Sequence, residues 1–340
     1  MTHPLIDGLG VSPDIFLHNF DVAGERALLI RLPAEQRRKA SFLDDRIFAP
    51  GVEGGWAAWS EVGPAAMRAP ASKARFIFHI GHCGSTLLSR LIEEASGVRS
   101  LREPACLRTL AAIDADIKDG LALWSETEFG KRLALYLNIA SAGAQTIIKA
   151  TSWCGDLASR TSGAAAFCYS KPDAYIATML GGANNPIDLR LNAPIRLRRL
   201  RRLCGARVTE LATLSPGELA AIIWATETAT IAAVAARDLS RIHAIDFDRF
   251  LSSPEEPLAK ALGHFSLPAT PERIRAALTG PTMRTYSKDS SFDYSPQDRR
   301  TLLAEYAAAH GDEITRGRKW LETAGKAHKP IAGALERFGG

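Results

Sequence analysis

Residues 81–86 read Gly81, His82, Cys83, Gly84, Ser85 and Thr86, and they follow an apolar run from Phe76 to Ile80. Past them, Leu87, Leu88, Leu91, Ile92 and Ala95 recur at helical spacing, with Gly97 positioned to close the helix. The order is strand, tight loop, helix. Free amides at a helix N-terminus, the helix dipole and the Ser85 and Thr86 hydroxyls together make an anion site suited to a phosphate. The dipole alone contributes less than ~1 kcal/mol, so affinity has to come from several hydrogen bonds acting together.

Three chemistries compete for such a loop. A nucleotide hydrolase or kinase of the Walker A type needs a lysine before the Ser/Thr to reach the outer phosphates, and no lysine precedes Ser85. A cysteine phosphatase is suggested by His82 and Cys83, whose thiol sits where a helix N-terminus lowers a pKa. That signature puts arginine six positions after the cysteine, where this chain has Ser89; the arginine is Arg90.

The third is sulfonate transfer. Cys83, Gly84, Ser85 and Thr86 resemble the S-G-T-T portion of the 5′-phosphosulfate loop of sulfotransferases that use 3′-phosphoadenosine 5′-phosphosulfate (PAPS), with His82 where that family carries lysine or arginine. The resemblance implies that Gly81, His82, Cys83, Gly84, Ser85 and Thr86 hold the donor's 5′-phosphosulfate, with His82 also a catalytic candidate.

Further motifs follow in the family's order along the chain. Glu103, after the second strand, stands where many Golgi-type and bacterial sulfotransferases carry a carboxylate base, which would take the proton of a hydroxyl acceptor. A surface ion pair with Arg102 or Arg108 is the other reading of Glu103. Lys149 resembles the family's strand-terminal lysine, which faces the phosphosulfate and stabilises charge on the breaking bond; alternatively it is an ordinary strand-end lysine. Thr178 falls on the family's 3′-phosphate serine, while Ser170 stands where that element has its arginine and Lys171 is the nearest cation. A plain strand-to-helix turn at Pro172 is the alternative. Ser287 and Lys288 lie where the family closes a basic loop on the nucleotide, with a solvated loop as the alternative. The resemblance spans roughly residues 75–267 and the loop at 284–288, and it implies in-line sulfonate transfer from PAPS to a hydroxyl or amine on a small-molecule acceptor, without a metal. A P-loop phosphotransferase or nucleotide hydrolase, and a non-catalytic nucleotide-binding module of the same fold, are the other readings.

The elements that must position these residues are strands read at 74–80, 98–101, 145–149, 165–169 and 242–247, separated by helical patterns. Such alternation predicts an α/β fold, a P-loop NTPase-like, mostly parallel β-sheet flanked by helices, with ligands at the carboxyl ends of its strands. Ser215, Pro216 and Glu218 form a helix start for a long helix to about Arg237, and residues 296–324 read as one or two helices. Residues 1–70 form an N-terminal appendage, with one strand at 27–32 and helical spacing at 33–45, and 71–330 form the sulfotransferase-like domain.

Of the 340 residues 46% are hydrophobic and 23% charged, which allows a substantial core. Arg196, Arg198, Arg199, Arg201, Arg202 and Arg207 interleave with Leu197, Leu200 and Leu203, a pattern read as a buried leucine stripe with a solvated basic face rather than a nucleic-acid surface. A net charge of +5 is too small to argue otherwise. The five cysteines form no C-x-x-C pair and read as reduced thiols. Residues 1–20 carry no signal-peptide pattern, and the longest weakly apolar stretch, 228–236, falls short of the ~20 residues of a bilayer span. The expectation is a cytoplasmic protein with neither nucleic-acid nor membrane partners.

Overall fold

Two sheets organise the chain in the computed structural model, which describes residues 3–48, 50–72, 74–182, 184–285 and 295–340. The smaller is antiparallel, with β1 (Ile15–Asp21), β2 (Arg26–Arg31) and β3 (Gly54–Ala58) in the order β1-β2-β3. The strand expected at 27–32 is β2, and β1 and β3 flank it. Between β2 and β3 the helical spacing at 33–45 yields only a short helix, α1 (Ala34–Lys39), because its end is captured from outside. The Arg102 guanidinium donates to the carbonyls of Arg37, Arg38 and Ala40 and to the Glu93 carboxylate, taking up carbonyls that a continuing helix would need. The chain then runs extended, with the Leu43 amide bonded to the Arg102 carbonyl at 2.7 Å, and this leads Phe42, Asp44 and Arg46 toward the main sheet. A second helix, α2 (Trp59–Ala66), follows β3.

The main sheet is parallel throughout. Its strands are β4 (Arg75–His79), β5 (Arg99–Arg102), β6 (Thr146–Lys149), β7 (Ala165–Tyr169) and β8 (Ile242–Asp246), in the order β5-β6-β4-β7-β8. All five match strands read from the sequence. The chain leaves β4 to one side for β5 and β6 and to the other for β7 and β8, so the loop after β4 sits where the winding direction changes, the usual ligand crevice of such sheets. Its register aligns Lys149 with both Ile77 and Arg102, and His79 with Cys168, bringing the strand ends onto one rim.

Helices α3 (Ser85–Ser96), α4 (Ala105–Lys118) and α5 (Glu126–Ala140) connect the first strands. After β7 come α6 (Pro172–Gly181), α7 (Asn185–Cys204) and α8 (Pro216–Ala235), the last starting with the expected capping box of Ser215 and Glu218. Helix α8 is long and apolar enough to cross a bilayer by composition, but its most apolar window is 78% buried inside the fold, packed by α6 and α7 and by two later helices. Beyond β8 lie α9 (Phe247–Ser252), α10 (Glu255–His264) and α11 (Pro271–Thr279). Three C-terminal helices follow, α12 (Pro296–Ala309), α13 (Gly311–Ala327) and α14 (Lys329–Phe338), where one or two were expected up to residue 324. Phe338 is fully buried against the Phe167 and Tyr169 rings of β7, so packing on the main sheet extends past residue 330.

On α7 the leucine stripe is only half of what is buried. Leu197 and Leu200 are buried as expected, but so are Arg196 and Arg199, which share the buried Glu227 carboxylate of α8 at 3.1 and 2.8 Å. Arg199 also holds Asp156 at 2.9 Å. The basic face is therefore solvated only in part: a buried charge is tolerated when it is paired and hydrogen-bonded, and here both arginines meet carboxylates brought in from other elements.

Candidate functional site

The loop between β4 and α3 is shaped by left-handed backbone at Gly81 (φ 86°), His82 (φ 50°) and Gly84 (φ 68°). Gly84 is obligatory on a second count: a Cβ there would lie 1.9 Å from the Phe247 ring. His79, the buried last residue of β4, braces the loop from beneath. Its Nδ1 accepts the Gly81 amide at 3.0 Å, so Nε2 carries the proton and donates to the Ala150 carbonyl at 2.8 Å. Helix α3 then begins at Ser85, and its first intrahelical bond runs from the Leu88 amide to the Gly84 carbonyl. The amides of Ser85, Thr86 and Leu87 precede that bond and have no acceptor within the helix.

A cleft of about 750 Å³ opens over this loop, within the size range of small-ligand sites, and Gly81, His82, Cys83, Gly84, Ser85 and Thr86 all line it. Cys83 does not present a nucleophile. Its side chain is fully buried, its Sγ donates to the Cys168 carbonyl at 3.1 Å, and Cys168 Sγ donates back to the Cys83 carbonyl at 3.0 Å. Burial pushes the Cys83 thiol up, but the adjacent Cys168 side chain and the Lys149 charge outweigh it and hold the thiol below its ordinary value. Arg90, the arginine of the phosphatase comparison, turns away to Ser41 at 3.1 Å.

Glu103 and Lys149 meet at the rim. Lys149 Nζ is ion-paired with Glu103 Oε1, the Glu103 amide donates to the Lys149 carbonyl at 2.7 Å, and both side chains line the cleft. Lys149 is 1% exposed, and His79 Nε2 lies 3.8 Å from the same carboxylate oxygen. Neither surface pairing considered for Glu103 occurs: Arg102 faces α1, and Arg108 reaches Asp44 at 3.4 Å. Among the described residues four non-glycines have positive φ, and two of them, His82 and Glu103, line this cleft. Such strain persists where the surrounding structure imposes it, often at functional sites. His82 Nε2 lies 3.3 Å from Asp188 Oδ2 on α7, and Asp188 is held in turn by Asn192 at 2.7 Å.

Thr178 lines the cleft from α6, but Lys171 does not: it is exposed at the start of that helix. The Ser170 hydroxyl is buried. A cation missed by the sequence reading stands with Thr178 instead. Arg299 of α12, 7% exposed, donates from Nη1 to Thr178 Oγ1 at 3.0 Å and from Nε to Asp248 at 3.1 Å, while its buried Nη2 has no partner among the described residues. Nothing near Arg299 in sequence marks it, whereas His79, a polar residue ending an apolar strand just before the loop, was a readable signal. Ser287 and Lys288 lie outside the described residues.

The remaining wall comes from the N-terminal segment and α4. Phe42, Asp44, Arg46 and Arg108 line it, with Trp153 beyond the end of β6, while Trp224 is a core residue bonded to the Ser170 carbonyl at 2.9 Å. The Arg46 guanidinium lies 3.8 Å from the Phe42 ring centroid and chelates Asp44 through two bonds of 2.7 and 2.6 Å. Burial alone would raise the Asp44 carboxyl, but the Arg46 hydrogen bonds and the Arg46 and Arg108 charges hold it below the usual range. The described residues contain no cluster of three or more His, Cys, Asp or Glu side chains arranged for a metal ion.

No family model matches the chain, and no curated protein sequence matches it. Solved structures do. The chain is similar to the sulfotransferase STF9 from Mycobacterium avium at 12% identity and TM-score 0.38, over 72% of this chain and 79% of that one. It is similar to the sulfotransferase domain from the curacin biosynthetic pathway at 15% identity and TM-score 0.38, over 73% and 96%. The sulfotransferase STF1 from Mycobacterium tuberculosis matches at 14% identity and TM-score 0.38, over 71% and 79%. At this identity and superposition the likeness says nothing of activity. The fold itself is α/β, with a five-stranded parallel sheet flanked by helices.

Proposed function

We infer that the protein is a sulfotransferase that moves a sulfonate group from PAPS to a hydroxyl or amine on a small-molecule acceptor. The observation that carries this reading is the Glu103–Lys149 pair at the ends of neighbouring parallel strands, beside a lysine-free phosphate loop. The donor's two anionic ends have matching partners. Loop amides, Ser85, Thr86 and Lys149 suit a 5′-phosphosulfate, and Thr178 with the Arg299 Nη2 left over suits a 3′-phosphate.

When bound, PAPS supplies an activated sulfonate on a phosphate leaving group. Glu103 takes the proton of the attacking hydroxyl. In doing so it loses the negative charge that holds Lys149, and the Lys149 ammonium becomes available to negative charge growing on the leaving oxygen. The two residues thus work in sequence. Helix α7, through Asp188, orients the His82 ring beside the loop.

A phosphotransferase would need a metal-nucleotide and a loop lysine, and His82 with Cys83 stands in that stretch instead. The test is donor turnover by wild type and by Glu103→Gln with any accepted hydroxyl compound. The variant should bind the nucleotide and turn over at least ~100-fold more slowly, in line with the loss of a general base. Full turnover in Glu103→Gln would remove the base assignment, and magnesium-dependent ATP hydrolysis would favour the phosphotransferase.

A further inference from the structure

Ser152, just past the extended chain that leaves β6, lies against the phosphate loop. A Cβ placed on Gly81 would be 3.3 Å from Ser152 Oγ, and Ser152 lines the same cleft as the loop. Behind it, Arg196 Nη2 donates to Ser152 Oγ at 2.7 Å. A guanidinium has only donors, so the serine oxygen must accept in this bond and its own hydrogen is left to point elsewhere. No acceptor for that hydrogen occurs among the described residues, and the neighbouring Thr151 Oγ1, buried in the same wall, is also without a partner among them. Arg196 is itself fixed: it is 1% exposed and its Nε is bonded to the buried Glu227 at 3.1 Å. A hydroxyl that accepts from a cation is polarised into a stronger donor, and a fixed donor beside an anion site needs no reorganisation to act.

We propose that Ser152 donates its hydroxyl hydrogen to the anion held by the loop at residues 81–86, and that Arg196 is the positioning residue that sets this polarity. The assignment deepens the sulfotransferase reading and rests on its placement of the donor's anionic end at the loop. It adds to the cradle a second group from the end of β6, after Lys149. Nothing in the residue types of this segment distinguishes Ser152 from an exposed turn serine; the polarity appears only once Arg196, 44 positions away, is brought beneath it.

The experiment is calorimetric titration of the full chain with inorganic pyrophosphate and with 3′,5′-adenosine bisphosphate, for wild type, Ser152→Ala, Arg196→Met and the double variant, each checked by thermal unfolding. Pyrophosphate reads the loop alone, and the bisphosphate reads the nucleotide site. Ser152→Ala should weaken both ligands by about tenfold, as expected for one charge-assisted hydrogen bond. Arg196→Met should weaken them by a few-fold, and the double variant should bind no worse than Ser152→Ala although its melting temperature falls further. A purely structural Arg196 would move the melting temperature and leave affinity alone. Should Arg196→Met fail to fold, Ser152→Ala decides by itself. Wild-type affinity for both ligands in a folded Ser152→Ala protein overturns the proposal while leaving the donor site intact. Serine-dependent pyrophosphate binding without preference for the bisphosphate upholds the proposal and removes the PAPS reading. Failure of wild type to bind either ligand removes both.

Discussion

Glu103 and Lys149 are joined twice, once by an ion pair between their side chains and once by the bond from the Glu103 amide to the Lys149 carbonyl at 2.7 Å. The backbone bond continues the β5–β6 ladder by one residue, so the ladder itself sets the pair's position. Glu103 meets this demand with φ at 52°, an uncommon value for a residue with a side chain. Lys149→Ala should therefore lower turnover by ~100- to 1000-fold, the usual loss for one preorganised donor to developing charge. Steady-state kinetics beside a nucleotide titration would check it: turnover should collapse while bisphosphate affinity changes much less.

Arg299 offers a sharper division between phosphates. Arg299→Met removes a buried donor held by Thr178 and Asp248 and should weaken 3′,5′-adenosine bisphosphate by ~10- to 100-fold, in line with ~1.5–3 kcal/mol for a hydrogen bond to a charged group. AMP, which lacks the 3′-phosphate, should bind both proteins equally. Equal weakening of both ligands would assign Arg299 to the fold of α12 rather than to the ligand.

Two glycines in left-handed backbone separate strain from contact. Gly120 (φ 72°) has nothing within 4 Å of where a Cβ would sit, and Gly120→Ala should cost about 1–2 kcal/mol from backbone strain alone. Gly84 (φ 68°) faces the Phe247 ring, and Gly84→Ala should add about 1–3 kcal/mol of overpacking to the same strain. Chemical denaturation measures both, and only Gly84→Ala should also abolish pyrophosphate binding.

Asp156 links the buried arginines of α7 to acid stability. Burial would raise its carboxyl, but the Arg199 and Lys118 charges and hydrogen bonds outweigh it and bring the pKa down to about 2 from 3.8. Arg202 also faces it at 3.7 Å. A depressed carboxylate contributes stability that is full above its unfolded pKa and is lost as pH falls through the folded value, here between about 4 and 2. Asp156→Asn should be less stable than wild type at pH 7, with the gap closing as pH falls through that window. Denaturant midpoints from pH 7 down to about 2.5 read this directly, and a constant gap would assign the loss to packing.

How far the sequence carried depends on which contacts are local. The β4 strand, its glycine loop and α3 were legible because apolar strand, φ-permissive residues and helical spacing follow one another without a break from Arg75 to Ser96. Helix α8 announced itself through Ser215 and Glu218. Strand β3 was hidden because it opens with Gly54 and Gly55, residues of low strand propensity that extend only where β2 supplies a partner. Helix α1 stopped early because of Arg102, 65 positions on from Arg37. Lys171 is the nearest cation along the chain to the segment that resembles a 3′-phosphate element, yet the fold turns it outward and brings Arg299, 121 positions away, against Thr178. The arginines of α7 looked solvated because their carboxylates, Glu227 and Asp156, lie on other elements. Side chains that depend on distant partners were the ones misplaced.

Calorimetric titration of the purified protein with 3′,5′-adenosine bisphosphate, against ADP and AMP, bears most directly on whether this cleft takes PAPS. Micromolar binding of the bisphosphate, with much weaker binding of the other two, is the expected result, because on the proposed reading only that ligand would reach both the loop and the Thr178–Arg299 pair. Equal affinity for the three nucleotides, or none for any, would contradict it.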